Sequence, residues 1–175
     1  IWNSNRGKGM KKIGIGVIGT AFMGKAHSIA YAAAGSVFGD GLRPSLEMIC
    51  DYNPDRAEVM RKEMGFSRCT SSWMDLVNDP KVELISVCVP NSLHKEISVA
   101  ALKLGKHVWC EKPMSTNLAD SEAMFAAAAE ASNSQTILGY NYTQNPAVQS
   151  DRKLIEEGVI GREIGFYGSY DVDNE

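Results

Sequence analysis

Two short stretches hold most of the chemistry open to this 175-residue chain. Gly19-Thr20-Ala21-Phe22-Met23-Gly24 follows an apolar run and opens a helix-compatible segment. In that setting backbone N–H groups at a helix start can cradle a dinucleotide pyrophosphate. Glu111-Lys112-Pro113 follows a later apolar run and sets one ammonium beside a rigid proline. Together, a phosphate cradle and a single fixed ammonium suggest a nicotinamide-dependent oxidoreductase.

The glycine pattern occurs twice. Gly14-Ile15-Gly16-Val17-Ile18-Gly19 is the literal G-x-G-x-x-G, but a helix begun there would open among β-branched residues. The stretch from Gly19 to Gly24 has a strand before it and a helix after it. Gly19 permits the tight turn, Ala21 stands where backbone must approach the pyrophosphate, and Gly24 lets helix and strand pack closely. Asp51 lies 27 residues beyond Gly24, the excess over the usual ~20 being taken up by a loop. Its carboxylate suits an adenosine ribose and repels a 2′-phosphate, which favours NAD over NADP; a solvated turn carboxylate is the alternative.

These motifs need a scaffold, and the hydrophobic pattern supplies one. Strands are expected at 13–18, 46–50, 66–70, 82–89, 107–110 and 136–139. Helices are expected at 24–34 with Gly35 as the stop, 54–64 capped by Asn53, 73–78 capped by Ser72, 96–104, and from Asn117 to about Ser132. A loop is expected from Gly39 to Pro44. Strands alternating with helices of about ten residues predict an α/β fold, a doubly wound parallel sheet. After Pro146 a helix at 148–157 and a strand from Ile164 to Tyr170 read as the start of a second, incomplete α/β domain. The expected division is therefore a tail at 1–9, a dinucleotide-binding domain at 10–147, and the beginning of another domain at 148–175.

Composition narrows the classes. A net charge of −3, with no basic stripe, gives no footprint for nucleic acid or an anionic membrane. No apolar run approaches the ~20 residues that span a bilayer. The four cysteines, Cys50, Cys69, Cys88 and Cys110, lack C-x-x-C spacing, so neither a metal site nor disulfides are expected, and a reducing cytoplasm is the natural compartment.

The loop chemistry and three further motifs resemble the Gfo/Idh/MocA family of oxidoreductases. The matching stretches are Gly19 to His27, Val87 to His94 (Val-Cys-Val-Pro-Asn-Ser-Leu-His), Gly105 to Pro113, and Gly139-Tyr140-Asn141. The resemblance implies a Rossmann domain binding NAD or NADP, then a domain whose large sheet forms the substrate site and an oligomer contact. It places Lys112 near nicotinamide and substrate hydroxyl as the catalytic cation that favours developing alkoxide charge, with Glu111 holding that lysine or the nearby backbone and Pro113 fixing its direction. It runs Pro90, Asn91 and His94 beneath the nicotinamide side of the cofactor. Asn91 suits either a ribose hydrogen bond or a helix cap, and His94 suits a structural hydrogen bond better than catalysis. Tyr140 and Asn141 fall where substrate would enter, with a structural role as the alternative. His27 reads as a packing or capping residue.

In the family the proton acceptor is usually a histidine of the second domain. The three histidines here, His27, His94 and His107, all fall in the cofactor domain. The chain is therefore expected to bind a dinucleotide, as part of a dehydrogenase of a sugar, polyol or related hydroxy compound, without completing efficient turnover by itself. A standalone dinucleotide-binding or sensing module is the alternative from another class. An S-adenosylmethionine site would leave Glu111-Lys112-Pro113 without a purpose.

Overall fold

Lys12–Ile18 forms strand β1, and every residue from Ile13 to Ile18 is buried. An interior parallel strand is covered on both faces, and Ile, Val and Gly meet that demand without a polar side chain. The structure, a computed structural model, describes residues 11–38, 43–162, 164, 165 and 167–169. It divides into two compact units between Gly139 and Tyr140.

In the first unit β1 is followed by α1 (Phe22–Val37), β2 (Arg43–Cys50), α2 (Pro54–Met64), β3 (Arg68–Thr70) and α3 (Trp73–Asn78). Then come β4 (Leu84–Val87), α4 (His94–Lys103), β5 (His107–Cys110), α5 (Leu118–Glu130) and β6 (Thr136–Leu138). The strands make one six-stranded sheet in the order β3-β2-β1-β4-β5-β6, parallel throughout. The chain thus forms the doubly wound sheet that its alternating pattern predicts. Strand order reverses between β1 and β4, which opens a crevice outside the carboxyl ends of those strands.

Alternate residues of each strand feed two apolar layers. Ile85, Val87 and Val108 pack with Leu76, Ile97, Ala101 and Met124 from α3, α4 and α5. Ile15, Val17 and Ile49 pack with Met60 and Phe66 around α2. Gly14 and Gly16 belong to this packing. A Cβ on Gly14 would lie 1.7 Å from the Lys81 carbonyl oxygen, and one on Gly16 would lie 2.7 Å from a Leu76 methyl. The literal glycine motif is therefore strand interior.

Local chemistry fixes the helix ends. Asn53 accepts from the N–H groups of Asp55 and Arg56 at 3.0 and 3.2 Å, Ser72 from Asp75, and Asn117 from Asp120. Helix α2 ends at Gly65 with φ 79°, a conformation that favours glycine.

Several expected boundaries change. Gly35 does not stop α1, which continues to Val37, because the missing Cβ makes room for the Arg43 side chain. Arg43 and Pro44 belong to β2, where they pair with Lys12 and Ile13; residues 39–42 of the expected loop lie outside the described residues, as does the 1–9 tail. The run 82–89 shortens to Leu84–Val87, and α4 begins at His94 instead of Glu96. The second unit holds a 3-10 turn, Asn141–Gln144, and helix α6, Pro146–Glu156, capped by Asn145. The strand expected from Ile164 to Tyr170 is not seen at 164, 165 or 167–169, and Tyr170 lies outside the described residues. A strand needs a paired neighbour, and Ile164 and Tyr167 are almost fully exposed.

Two stability outcomes follow. Gly14→Ala forces a methyl against a carbonyl and should cost about 1–3 kcal/mol, read as a lower urea midpoint at unchanged m-value. Arg68 donates twice to Asp79 and holds its carboxyl below the usual carboxylate range. A depressed folded pKa stabilises above the unfolded value near ~3.9 and is lost as pH falls through the folded one. Asp79→Asn should therefore lower the urea midpoint at pH 7, and the two midpoints should converge in acid.

Candidate functional site

The turn after β1 is shaped by contacts that exclude side chains. Gly19 has φ 104°, its N–H donates to the Cys50 carbonyl at 2.8 Å, and a Cβ there would lie 2.2 Å from the Cys88 carbonyl oxygen. A Cβ on Gly24 would lie 1.9 Å from the Gly19 carbonyl oxygen, so α1 presses directly on the turn. Ala21 is the N-cap of α1 and supplies no side-chain cap; the first turn, with Phe22 and Met23, holds no acidic residue. The leading N–H groups of a helix have no intrahelical acceptor, so they and the positive end of the dipole remain for an anion. The residues present fit a pyrophosphate.

Asp51 stands at the exit of β2, buried. One carboxylate oxygen accepts from the Thr20 hydroxyl, and the other accepts from the Asn53 N–H at 3.0 Å. Arg56 Nη2 lies 3.7 Å from the oxygen that Thr20 holds. Thr20, Lys25, Arg56, Met60 and Glu63 line a pocket of about 380 Å³ beside it. Thr20 and Arg56 thus join Asp51 directly, which puts the glycine turn and the acidic residue in one constellation.

The exits of β4 and β5 lie at the same sheet edge. Glu111 N–H donates to the Val87 carbonyl at 3.1 Å, and Gly139 N–H to the Cys110 carbonyl at 2.8 Å. His94 is fully buried, with Nδ1 2.9 Å from the Pro113 carbonyl oxygen and Nε2 3.0 Å from that of Val89. It ties the loop holding Pro90 and Asn91 to the one holding Lys112 and Pro113. That is a structural hydrogen-bonding role. Asn91 opens a short 3-10 turn, Asn91–Leu93, and α4 has no side-chain cap, so of its two expected roles the cap is not seen. The Lys112–Pro113 peptide is cis. Lys112 is exposed, and among the described residues its ammonium makes no hydrogen bond or ion pair.

Glu111 is buried and turns inward. Its Oε1 accepts from His27 Nε2 at 3.0 Å, while His27 Nδ1 lies 3.0 Å from Ser86 Oγ, itself 2.7 Å from the Tyr31 hydroxyl. A Cβ on Gly139 would lie 2.5 Å from Glu111 Oε1, so the end of β6 runs directly over the carboxylate. The residue types alone left this chain hidden. Its signal was three polar side chains, His27, Ser28 and Tyr31, on the stripe of α1 that continues from Gly24.

Burial pushes the thiols of Cys50 and Cys110 up to about 12 and about 11, with Asp51 and Glu111 adding to it; Cys88 is pushed up further. Buried thiols of this kind are packing, not nucleophiles. Tyr140 and Asn141 belong to the second unit, where the Tyr140 carbonyl accepts from the Thr143 hydroxyl at 2.7 Å. No helix among the described residues is long and apolar enough to cross a membrane.

Known proteins share this fold. The model of the Gfo/Idh/MocA oxidoreductase family, described as an NAD-binding Rossmann fold, matches residues 13–140. Levoglucosan dehydrogenase of Pseudarthrobacter phenanthrenivorans is 40% identical over 162 residues, 92% of this chain and 41% of that protein. Myo-inositol 2-dehydrogenase of Thermotoga maritima is 32% identical over 150 residues, 85% of this chain and 42% of its own length. The solved complex of a levoglucosan dehydrogenase with NADH and levoglucosan superimposes with a TM-score of 0.83 at 39% identity, over 87% of this chain and 41% of that one. The chain spans about two fifths of the length of these relatives. Sheet order, glycine turn and family match converge: the chain belongs to the Gfo/Idh/MocA family of oxidoreductases and carries its NAD-binding Rossmann domain.

Proposed function

We propose that this chain binds NAD(H) along the carboxyl edge of its sheet and is the nucleotide half of a dehydrogenase. Its substrate is a sugar, polyol or related hydroxy compound, the class to which levoglucosan and inositol belong. The observation that carries the reading is the uncapped start of α1, set at the strand-order reversal with buried Asp51 beside it. The N–H groups from Ala21 to Gly24 hold the pyrophosphate. Asp51, steadied by Thr20, Asn53 and Arg56, accepts from the adenosine ribose hydroxyls.

The bound nicotinamide supplies the hydride acceptor or donor. Lys112, free of any partner among the described residues, orients the substrate hydroxyl and steadies the alkoxide as it forms. Pro90, Asn91 and Pro113, joined by His94, shape the floor on which the ring rests. Residues from Tyr140 onward lead into the substrate domain, where Tyr140 and Asn141 stand at its edge. That domain supplies the proton acceptor and the contact between subunits.

Fluorescence titration of the chain with NADH and NADPH tests the nucleotide site. NADH should bind and NADPH should bind more weakly, because the Asp51 carboxylate repels a 2′-phosphate. Asp51→Ser should weaken NADH by roughly tenfold, the weight of one charge-assisted hydrogen bond, and should improve NADPH by exposing Arg56 and Lys25 to the phosphate. Tighter binding of NADPH by the unaltered chain would refute the assignment. In the enzyme complete with its substrate domain, Lys112→Ala should leave NADH binding intact. Single-turnover hydride transfer should slow by about 10²–10³-fold.

A further inference from the structure

His27 lies 6% exposed between two partners that hold both of its ring nitrogens, Ser86 Oγ and Glu111 Oε1. We infer that His27 is a positioning residue: fixed as the Nε2–H tautomer by the buried chain Tyr31–Ser86–His27–Glu111, it holds the Glu111 carboxylate and so fixes the backbone from which Lys112 projects. The direct role given to Lys112 rests on the dehydrogenase reading; the hydrogen-bond direction and the hold on Glu111 do not.

Counting protons selects the tautomer. A carboxylate only accepts, so Nε2 must donate to Glu111, and neutral His27 then offers Nδ1 as an acceptor. Ser86, fully buried, donates to Nδ1 and accepts from Tyr31. Each hydroxyl then donates once, and no member of the chain is left unpaired. Burial keeps Tyr31 in its donor form, its hydroxyl pushed up to about 12. The opposite tautomer would set a ring lone pair against a carboxylate oxygen at 3.0 Å, in a place where water cannot compensate. The Trp109 ring closes the side of His27, with centroids 4.8 Å apart. Gly139 closes over Glu111, so the carboxylate has no room to turn away.

The consequence reaches Lys112 because it follows Glu111 directly in the chain: Glu111 is buried and Lys112 exposed, so the two neighbouring side chains face apart. With Glu111 drawn inward by His27, the next side chain is directed outward. Glu111 is also kept from pairing with Lys112 and neutralising it.

The test uses the 175-residue chain. Long-range ¹H–¹⁵N correlation on labelled protein reads the His27 tautomer directly, assigned against His27→Gln. An unprotonated Nδ1 with a protonated Nε2 is expected; an Nδ1–H tautomer, or protons on both, overturns the proposal. Lysines tagged by reductive ¹³C-methylation, with Lys112 assigned by Lys112→Arg, read the second half. Glu111→Leu and His27→Leu should displace the Lys112 methyl resonance, and His27→Gln, which keeps a donor near the Nε2 position, should restore it. An unmoved Lys112 resonance in Glu111→Leu, which removes the acceptor, overturns the positioning role, even if His27→Leu fails to fold. NADH titration of the unaltered chain stands apart: failure to bind would strike the cofactor reading and leave both of these measurements to judge His27.

Discussion

At Gly19 three backbone segments meet with no space for a side chain. The residue donates to the last carbonyl of β2, lies against the carbonyl of Cys88 beyond β4, and receives the flank of α1 at Gly24. A methyl at either glycine would fall within 2.2 Å of a carbonyl oxygen. Both carbonyls belong to backbone just past a strand end, in packing too close to yield, so the contact would have to open. That close approach aims the start of α1 at the crevice and brings Thr20 to Asp51. The site depends on it in the most literal way, since separating α1 from β1 would carry the unpaired N–H groups at the helix start away from Asp51.

Two buried carboxylates flank this point and are handled differently. Asp51 is held by a hydroxyl, a backbone N–H and a guanidinium, a set of donors that leaves lone pairs free on a carboxylate able to accept about four hydrogen bonds. Among the described residues Glu111 has a single imidazole donor, and it is roofed by Gly139. The first arrangement can take on a ligand; the second is closed and serves the fold around it. Lys112, one residue away, is exposed and has no ion-pair partner among the described residues. A cation kept from pairing beside a buried anion has to be held off by geometry, and the inward turn of Glu111 does this.

Much of the fold was legible because local rules and long-range demands agree. Asn53, Ser72 and Asn117 cap helices as their spacing indicates, and the glycine turn follows a strand whose β-branched residues suit burial. Where a residue answered to a distant partner, local reading missed it. Gly35 looks like a helix stop, yet it is needed for the Arg43 side chain that packs against it. His94 makes the structural hydrogen bond that its place at a helix entrance suggests, but that it is the first helical residue and ties two loops together was beyond local reading. The Thr20–Asp51 bond joins residues 31 apart, and the His27–Glu111 bond joins residues 84 apart; no periodicity reports such pairs. The strand expected after Ile164 had the composition of a strand without a described neighbour to pair with, and composition alone does not make one.

Helix α1 serves the whole edge. Its first turn offers N–H groups at the strand-order reversal, and its second presents His27 to Ser86 of β4 and to Glu111 beyond β5. Two turns of one helix are effectively rigid, because every displacement must be shared along the hydrogen-bonded backbone. A shift of the first turn towards or away from an anion therefore has two outlets. It either breaks the paired hydrogen bonds of His27 in a buried setting, where unpaired groups are costly, or moves Glu111 together with the loop that bears Lys112. Packing of Trp109 and Gly139 around the imidazole and the carboxylate opposes the second outlet as well. The glycine-turn end and the lysine end of the crevice are thus set by one body, and a shift at one is carried to the other.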